Sequence, residues 1–121
     1  MFIKELCNLN GVSGDEGAVR KFIKDRIEEY ADEITVDSMG NLIALKKGDS
    51  DKKKIMLSAH MDEVGFIVSG FTDKGYLEFK TVGGIDTRVI ISKKVYVGEK
   101  KVPGIIGMKA VHLQKRAERE S

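Results

Sequence analysis

Lys54-Ile55-Met56-Leu57-Ser58-Ala59-His60-Met61-Asp62-Glu63 reads as a β-strand with its chemistry at one end. The apolar run Ile55-Met56-Leu57 shows no alternation. A strand of that kind is covered on both faces, as in the middle of an α/β sheet. Alternate side chains of a strand share a side. If the strand continues through residue 62, His60 and Asp62 project together from its C-terminal end, where open α/β sheets bind ligands. A neutral imidazole is a good ligand for zinc or a similar ion. A carboxylate beside it can hold the other ring nitrogen and fix the tautomer. His60 is therefore the candidate metal ligand and Asp62 its candidate orienting partner. His-x-Asp is a weak pattern by itself. On spacing alone, a histidine paired with a carboxylate for structural reasons is the better reading.

Upstream of this strand the periodicity is mostly helical. Residues 2–9 place Phe2, Ile3, Leu6 and Leu9 at helical spacing, and Asn10-Gly11 ends the run. Ser13 and Glu16 form a Ser-x-x-Glu capping box. Residues 15–30 then carry Val19, Phe22, Ile23, Ile27 and Tyr30 on one face, with Lys21, Lys24, Asp25, Glu28 and Glu29 largely opposite. Residues 33–37 and 41–47 read as strands joined by the turn Ser38-Met39-Gly40-Asn41. A polar loop at 48–51 leads to the central strand, expected over residues 54–60, and residues 64–69 form another strand.

Beyond Gly70 the character changes. Short strand-like pieces at 76–81, 88–91, 94–97 and 102–107 are punctuated by glycine at 70, 75, 83, 84, 98, 104 and 107. That pattern suits a small barrel or sandwich, so a domain boundary is expected near residue 70. Residues 114–121 are polar and of mixed charge, and any order there is expected to depend on downstream polypeptide or on a partner.

Composition narrows the function classes. The chain has 121 residues, 41% hydrophobic and 33% charged, with 21 Lys plus Arg against 19 Asp plus Glu. A net charge of +2 without a basic face argues against nucleic-acid binding. The Lys52-Lys53-Lys54 cluster reads as a solvated turn. Cys7 is the single cysteine. It cannot form an internal disulfide, and its apolar neighbours suggest a small buried hydrophobe. No secretory leader or membrane-length apolar stretch is visible, so a cytoplasmic protein is expected.

The string Leu57-Ser58-Ala59-His60-Met61-Asp62-Glu63-Val64-Gly65-Phe66 closely resembles the metal-site segment of the M42 metallo-aminopeptidases. Further matches occur in the same order: Gly11-Val12-Ser13-Gly14-Asp15-Glu16 with Val19-Arg20, then Asp37-Ser38-Met39-Gly40-Asn41-Leu42, then Val82-Gly83-Gly84-Ile85-Asp86, and finally Val102-Pro103-Gly104-Ile105-Ile106-Gly107. The resemblance runs from about residue 3 to about residue 113. The resemblance implies an α/β fold: residues 1–69 as the N-terminal part of a zinc-aminopeptidase-like sheet domain, and residues 70–121 as part of an inserted small β-barrel domain that drives homo-oligomer assembly. It also implies a two-metal site, zinc or cobalt, that removes N-terminal residues from peptides. By position His60 would ligate one metal, and Asp62 would orient it as part of the catalytic unit. Gly65 would allow close backbone packing. Some members of the family carry an endoglucanase label.

The family's bridging aspartate, glutamate pair, further acidic ligand and second histidine would all lie beyond residue 121. Glu28-Glu29 reads as solvated helix surface, and His112 as a surface or interface residue. The chain is therefore expected to be an N-terminal fragment, inactive by itself, with no nucleic-acid or membrane partner. The alternative is a non-catalytic oligomerisation or interaction module that pairs through exposed strand edges. An endoglucanase has less support, since no facing pair of carboxylates is marked and the chain has no Trp.

Overall fold

The computed structural model describes residues 2–49 and 53–108. His112, Lys52 and the tail at 114–121 lie outside the described residues. The chain divides into two compact units, Met1–Gly84 and Ile85–Ser121. Residue 70, where the sequence suggests a boundary between domains, falls within a hairpin of the first unit.

In the first unit, helix α1 spans Phe2–Leu6 and helix α2 spans Gly17–Ile27, continued by a 3-10 turn at Glu28–Tyr30. The expected first helix runs on to residue 9 only as turns. Cys7 N still donates to Ile3 O, but Asn8 N and Leu9 N donate one residue closer, to Glu5 O and Leu6 O. The helices are joined by one cluster. The Arg26 guanidinium lies 4.7 Å from the Phe22 ring centre and 5.5 Å from that of Phe2, and it donates to Glu5 Oε2 at 2.6 Å. Cation–ring attraction and the ion pair act together here. Contact with α2 thus runs through Phe2, and Cys7 is exposed, contrary to its apolar sequence neighbours.

The capping box does not form. The residue flanking α2 is Glu16, and no side chain caps the helix. Glu16 Oε1 instead accepts from Gly14 N at 2.6 Å.

Strands β1, Glu33–Val36, and β2, Leu42–Leu45, pair antiparallel with Val36 opposite Leu42. Strands β3, Gly65–Phe71, and β4, Leu77–Val82, form a second hairpin with a register shift between Val68 and Gly70. Phe66 and Phe79 meet edge to face at 4.9 Å across it.

The expected central strand at residues 54–60 is not realised. This stretch lies outside every helix and strand, and Ile55, Met56 and Leu57 are 86%, 87% and 93% exposed. A strand exists only through hydrogen bonds to neighbours. All three sheets of the described residues are two-stranded hairpins, and no strand of them pairs with this run.

The second unit holds β5, Lys94–Val97, and β6, Val102–Ile105, paired antiparallel. Their turn uses a positive φ at Gly98 and at Lys101. The strand expected at 88–91 is largely replaced by a 3-10 turn at Thr87–Val89. Asp86 imposes it, since its Oδ1 accepts from Arg88 N at 3.0 Å and its carbonyl from Val89 N at 3.1 Å. The described part of this unit is a hairpin and a turn, short of a barrel.

Val19 and Ile106, at 6% and 7% exposure, are the buried hydrophobic side chains of the described residues. No helix among the described residues is long and apolar enough to cross a membrane.

Candidate functional site

Three stretches singled out in the sequence meet in the first unit. The loop at 11–14 runs beside residue 63 as a parallel bridge, Val12 opposite Glu63, with Glu63 N donating to Gly11 O at 2.7 Å. Two glycines permit this approach. A Cβ on Gly11 would lie 2.7 Å from Val19 Cγ2, and one on Gly65 would lie 2.5 Å from Val12 Cγ2. Close backbone packing, expected of Gly65, is what the structure has. The third stretch is the β1–β2 turn, where Arg20 of α2 donates to Gly40 O at 3.1 Å. Between these stretches lies an open cleft of about 180 Å³, lined by Glu16 and residues 39–41 and 59–62.

Asp37 builds the turn wall. Its Oδ1 accepts from Met39 N and Asn41 N at 3.0 and 2.8 Å, and its Oδ2 from Asn41 Nδ2 at 2.8 Å. These bonds, the Asn41 side chain first, hold its carboxyl below the ordinary value of 3.8. The charged form is thus the one the fold prefers. Its stabilising contribution is complete above the unfolded value and is lost as pH falls through the lower folded value. In an NMR pH titration, the Asp37 carboxyl should therefore titrate below a model-peptide aspartate, and the Met39 and Asn41 amides should shift with it. A midpoint at or above the peptide value would refute this account of the turn.

His60 Nδ1 lies 3.0 Å from Asp62 Oδ1 and 3.0 Å from Asp62 O. Both partners only accept, so in the neutral ring the proton sits on Nδ1 and Nε2 keeps its lone pair. The His60 side chain is 85% exposed, so Nε2 is open to a ligand. Asp62 Oδ2 accepts from the Ser13 hydroxyl at 2.6 Å. Ser13 first, and His60 after it, hold the Asp62 carboxyl below 3.8.

The sequence thus names His60 and Asp62, and the structure brings them together. It misses Ser13 as their neighbour, because Ser-x-x-Glu already offers a local use for the hydroxyl. Glu28 and Glu29 are exposed on the 3-10 turn after α2, away from the lining of the cleft.

The donor chemistry fits one histidine ligand with its supporting carboxylate. It does not by itself hold an ion, since no group of three His, Cys, Asp or Glu side chains among the described residues is placed for one.

Relatives place this arrangement in a family. A lysyl aminopeptidase of Pyrococcus furiosus is 33% identical over 96% of this chain and 34% of its own. A solved Thermotoga maritima protein described as an endoglucanase is 50% identical, with a TM-score of 0.81 over 90% of this chain and 34% of that one. The TET1 peptidase of Pyrococcus horikoshii, which can assemble into a tetrahedron or a large octahedral shell, is 37% identical with a TM-score of 0.75, over 95% and 35%. The chain spans about a third of the length of the curated relatives it matches. The family description that matches residues 40–121 is M42 glutamyl aminopeptidase, and with those residues covering more than half of its length the chain belongs to that family.

Proposed function

We propose that the chain supplies one corner of a two-metal aminopeptidase site that releases N-terminal residues from peptides. His60 would ligate one metal, zinc or cobalt, through Nε2. Asp62 would hold the Nδ1 proton, keep the ring in the ligating tautomer and raise its basicity. The observation that carries this reading is the His60–Asp62 pair, Nδ1 to Oδ1 at 3.0 Å, at the wall of a cleft in a chain of an aminopeptidase family. When bound, the metal pair supplies Lewis-acid polarisation of a carbonyl and activation of water. Residues 39–41 would line the space beside it.

The remaining ligands and the base would come from polypeptide corresponding to the rest of the relatives' length. In this reading residues 1–69 belong to the catalytic α/β domain and residues 70–121 to an inserted β-domain, in a cytoplasmic enzyme without nucleic-acid or membrane partners. Purified residues 1–121 should then release no nitroaniline from aminoacyl-nitroanilides with added zinc or cobalt. Turnover that survives repurification and disappears in His60→Ala would show that the chain needs no further ligands, and would overturn this division of the site.

A second reading, homo-oligomerisation through residues 70–121, draws on the exposed Tyr96, Val102 and Ile105 of the β5–β6 hairpin and on the shells formed by the TET1 relative. It is compatible with the first. The endoglucanase description of the Thermotoga relative gains no support from the cleft, where Glu16 and Asp62 are the lining carboxylates and Asp62 is engaged with His60 and Ser13.

A further inference from the structure

We infer that Ser13 is a positioning residue for the His60–Asp62 pair: its hydroxyl fixes the Asp62 carboxylate in the orientation that keeps the proton on His60 Nδ1 and leaves Nε2 free. The inference rests on the reading of His60 as a ligand, and it adds a residue 49 positions upstream of the carboxylate it controls.

The geometry divides the carboxylate between two partners. Oδ2 takes the Ser13 hydroxyl at 2.6 Å, and Oδ1 faces His60 Nδ1 at 3.0 Å. The terminal torsion of an aspartate is broad when nothing holds it. Anchoring one oxygen sets the plane of the group and so the direction of the other.

Ser13 can serve as an anchor because its own backbone is seated. Val12 bridges Glu63, Asp15 N donates to Val12 O at 2.7 Å, and Gly11 and Gly65 let the loop and the site segment approach. The hydroxyl is not needed to tie the loop down, since the Glu63 N to Gly11 O bond already does so. Nor is it spent on α2, which starts without a side-chain cap. Its remaining effect is on the carboxylate.

The test is 15N NMR of the His60 imidazole in the 121-residue chain, at a pH where the ring is neutral. Wild type should show mainly the Nδ1–H tautomer. Ser13→Thr keeps the hydroxyl and should match it. Ser13→Ala, and Ser13→Cys with its weak donor, should lower the ratio of Nδ1–H to Nε2–H by about threefold or more, the scale of one lost hydrogen bond. The cysteine variant preserves bulk, so it answers the question even if the alanine variant loosens the loop. An unchanged ratio in the alanine and cysteine variants overturns the inference. So does a threonine variant that behaves like alanine, since packing and not the hydroxyl would then be responsible. The tautomer ratios need no metal, so they decide the role of Ser13 apart from the ligand reading. That reading is tested by the metal content of an enzyme of the relatives' full length, which should fall in His60→Ala, and an unchanged metal content there would sink it while leaving the Ser13 result standing.

Discussion

Light scattering on residues 1–121 is expected to find species larger than a monomer, and Ile55→Asp with Leu57→Asp is expected to return most of the protein to monomer. Ile55, Met56 and Leu57 are exposed at 86%, 87% and 93% on a stretch that belongs to none of the three sheets of the described residues. Full burial of such a side chain stabilises by about 1.5–3 kcal/mol. The three together therefore represent an association drive of up to about 5–9 kcal/mol, less the cost of ordering. Backbone that lies outside every sheet also has hydrogen-bonding groups that can pair with another chain. The β5–β6 hairpin also exposes apolar side chains, Tyr96 and Ile105 among them, but one edge of each of its strands is already paired. Ile105→Asp should therefore disperse the species less. If Ile105→Asp returns the chain to monomer and the 55/57 double variant does not, association belongs to the β5–β6 hairpin and the weight given to the apolar run is wrong. A strict monomer across a wide concentration range would sink both versions.

The same stretch marks the limit of what one sequence can reveal. Ile55-Met56-Leu57 has the composition of a strand covered on both faces, and that reading requires neighbours. Periodicity reports how much cover a segment wants and is silent on which polypeptide provides it. Where the partners are local the reading works. Helix α2 follows its apolar stripe, the turn of Asp37 through Asn41 gives the β1–β2 hairpin, and Gly98 supplies the turn of the β5–β6 hairpin. Two local readings fail for a common reason. At Ser13 and at Asp86 a short polar side chain has competing uses, and the choice depends on atoms the pattern does not contain. Ser13 leaves the helix start for a carboxylate 49 residues away. Asp86 folds the next residues into a 3-10 turn where the sequence suggests a short strand. The burial expected of Cys7 fails because α1 meets α2 through Phe2 and Phe22, a contact that hydrophobic neighbours in sequence do not predict. His60 and Asp62 are legible because their pairing spans only two positions.

Gly40→Ala should be a clearly destabilising single-methyl change in the first unit. Gly40 has φ +86°, in the left-handed region where an L side chain meets the backbone. Holding a non-glycine residue there costs about 1–3 kcal/mol. The new Cβ would also stand 2.8 Å from Arg20 Nη1, the group that donates to Gly40 O at 3.1 Å. Arg20 must therefore swing aside, and its bond to the turn is lost or lengthened. The consequence is local as well as global, because Gly40 lines the cleft with Met39 and Asn41. Urea unfolding should show the loss in stability, and the amides of residues 39–41 should move in NMR spectra while those of the β5–β6 hairpin do not. Gly48→Ala is the matched control, with open space around its Cβ and no positive φ. It should be neutral or slightly stabilising, since it reduces only the freedom of the unfolded chain. If Gly40→Ala unfolds at the same urea concentration as Gly48→Ala, neither the backbone strain nor the Arg20 contact has the weight given to it. If Gly40→Ala is destabilised and Arg20→Ala is not, strain alone accounts for the effect, and the turn holds its place at the cleft without the helix.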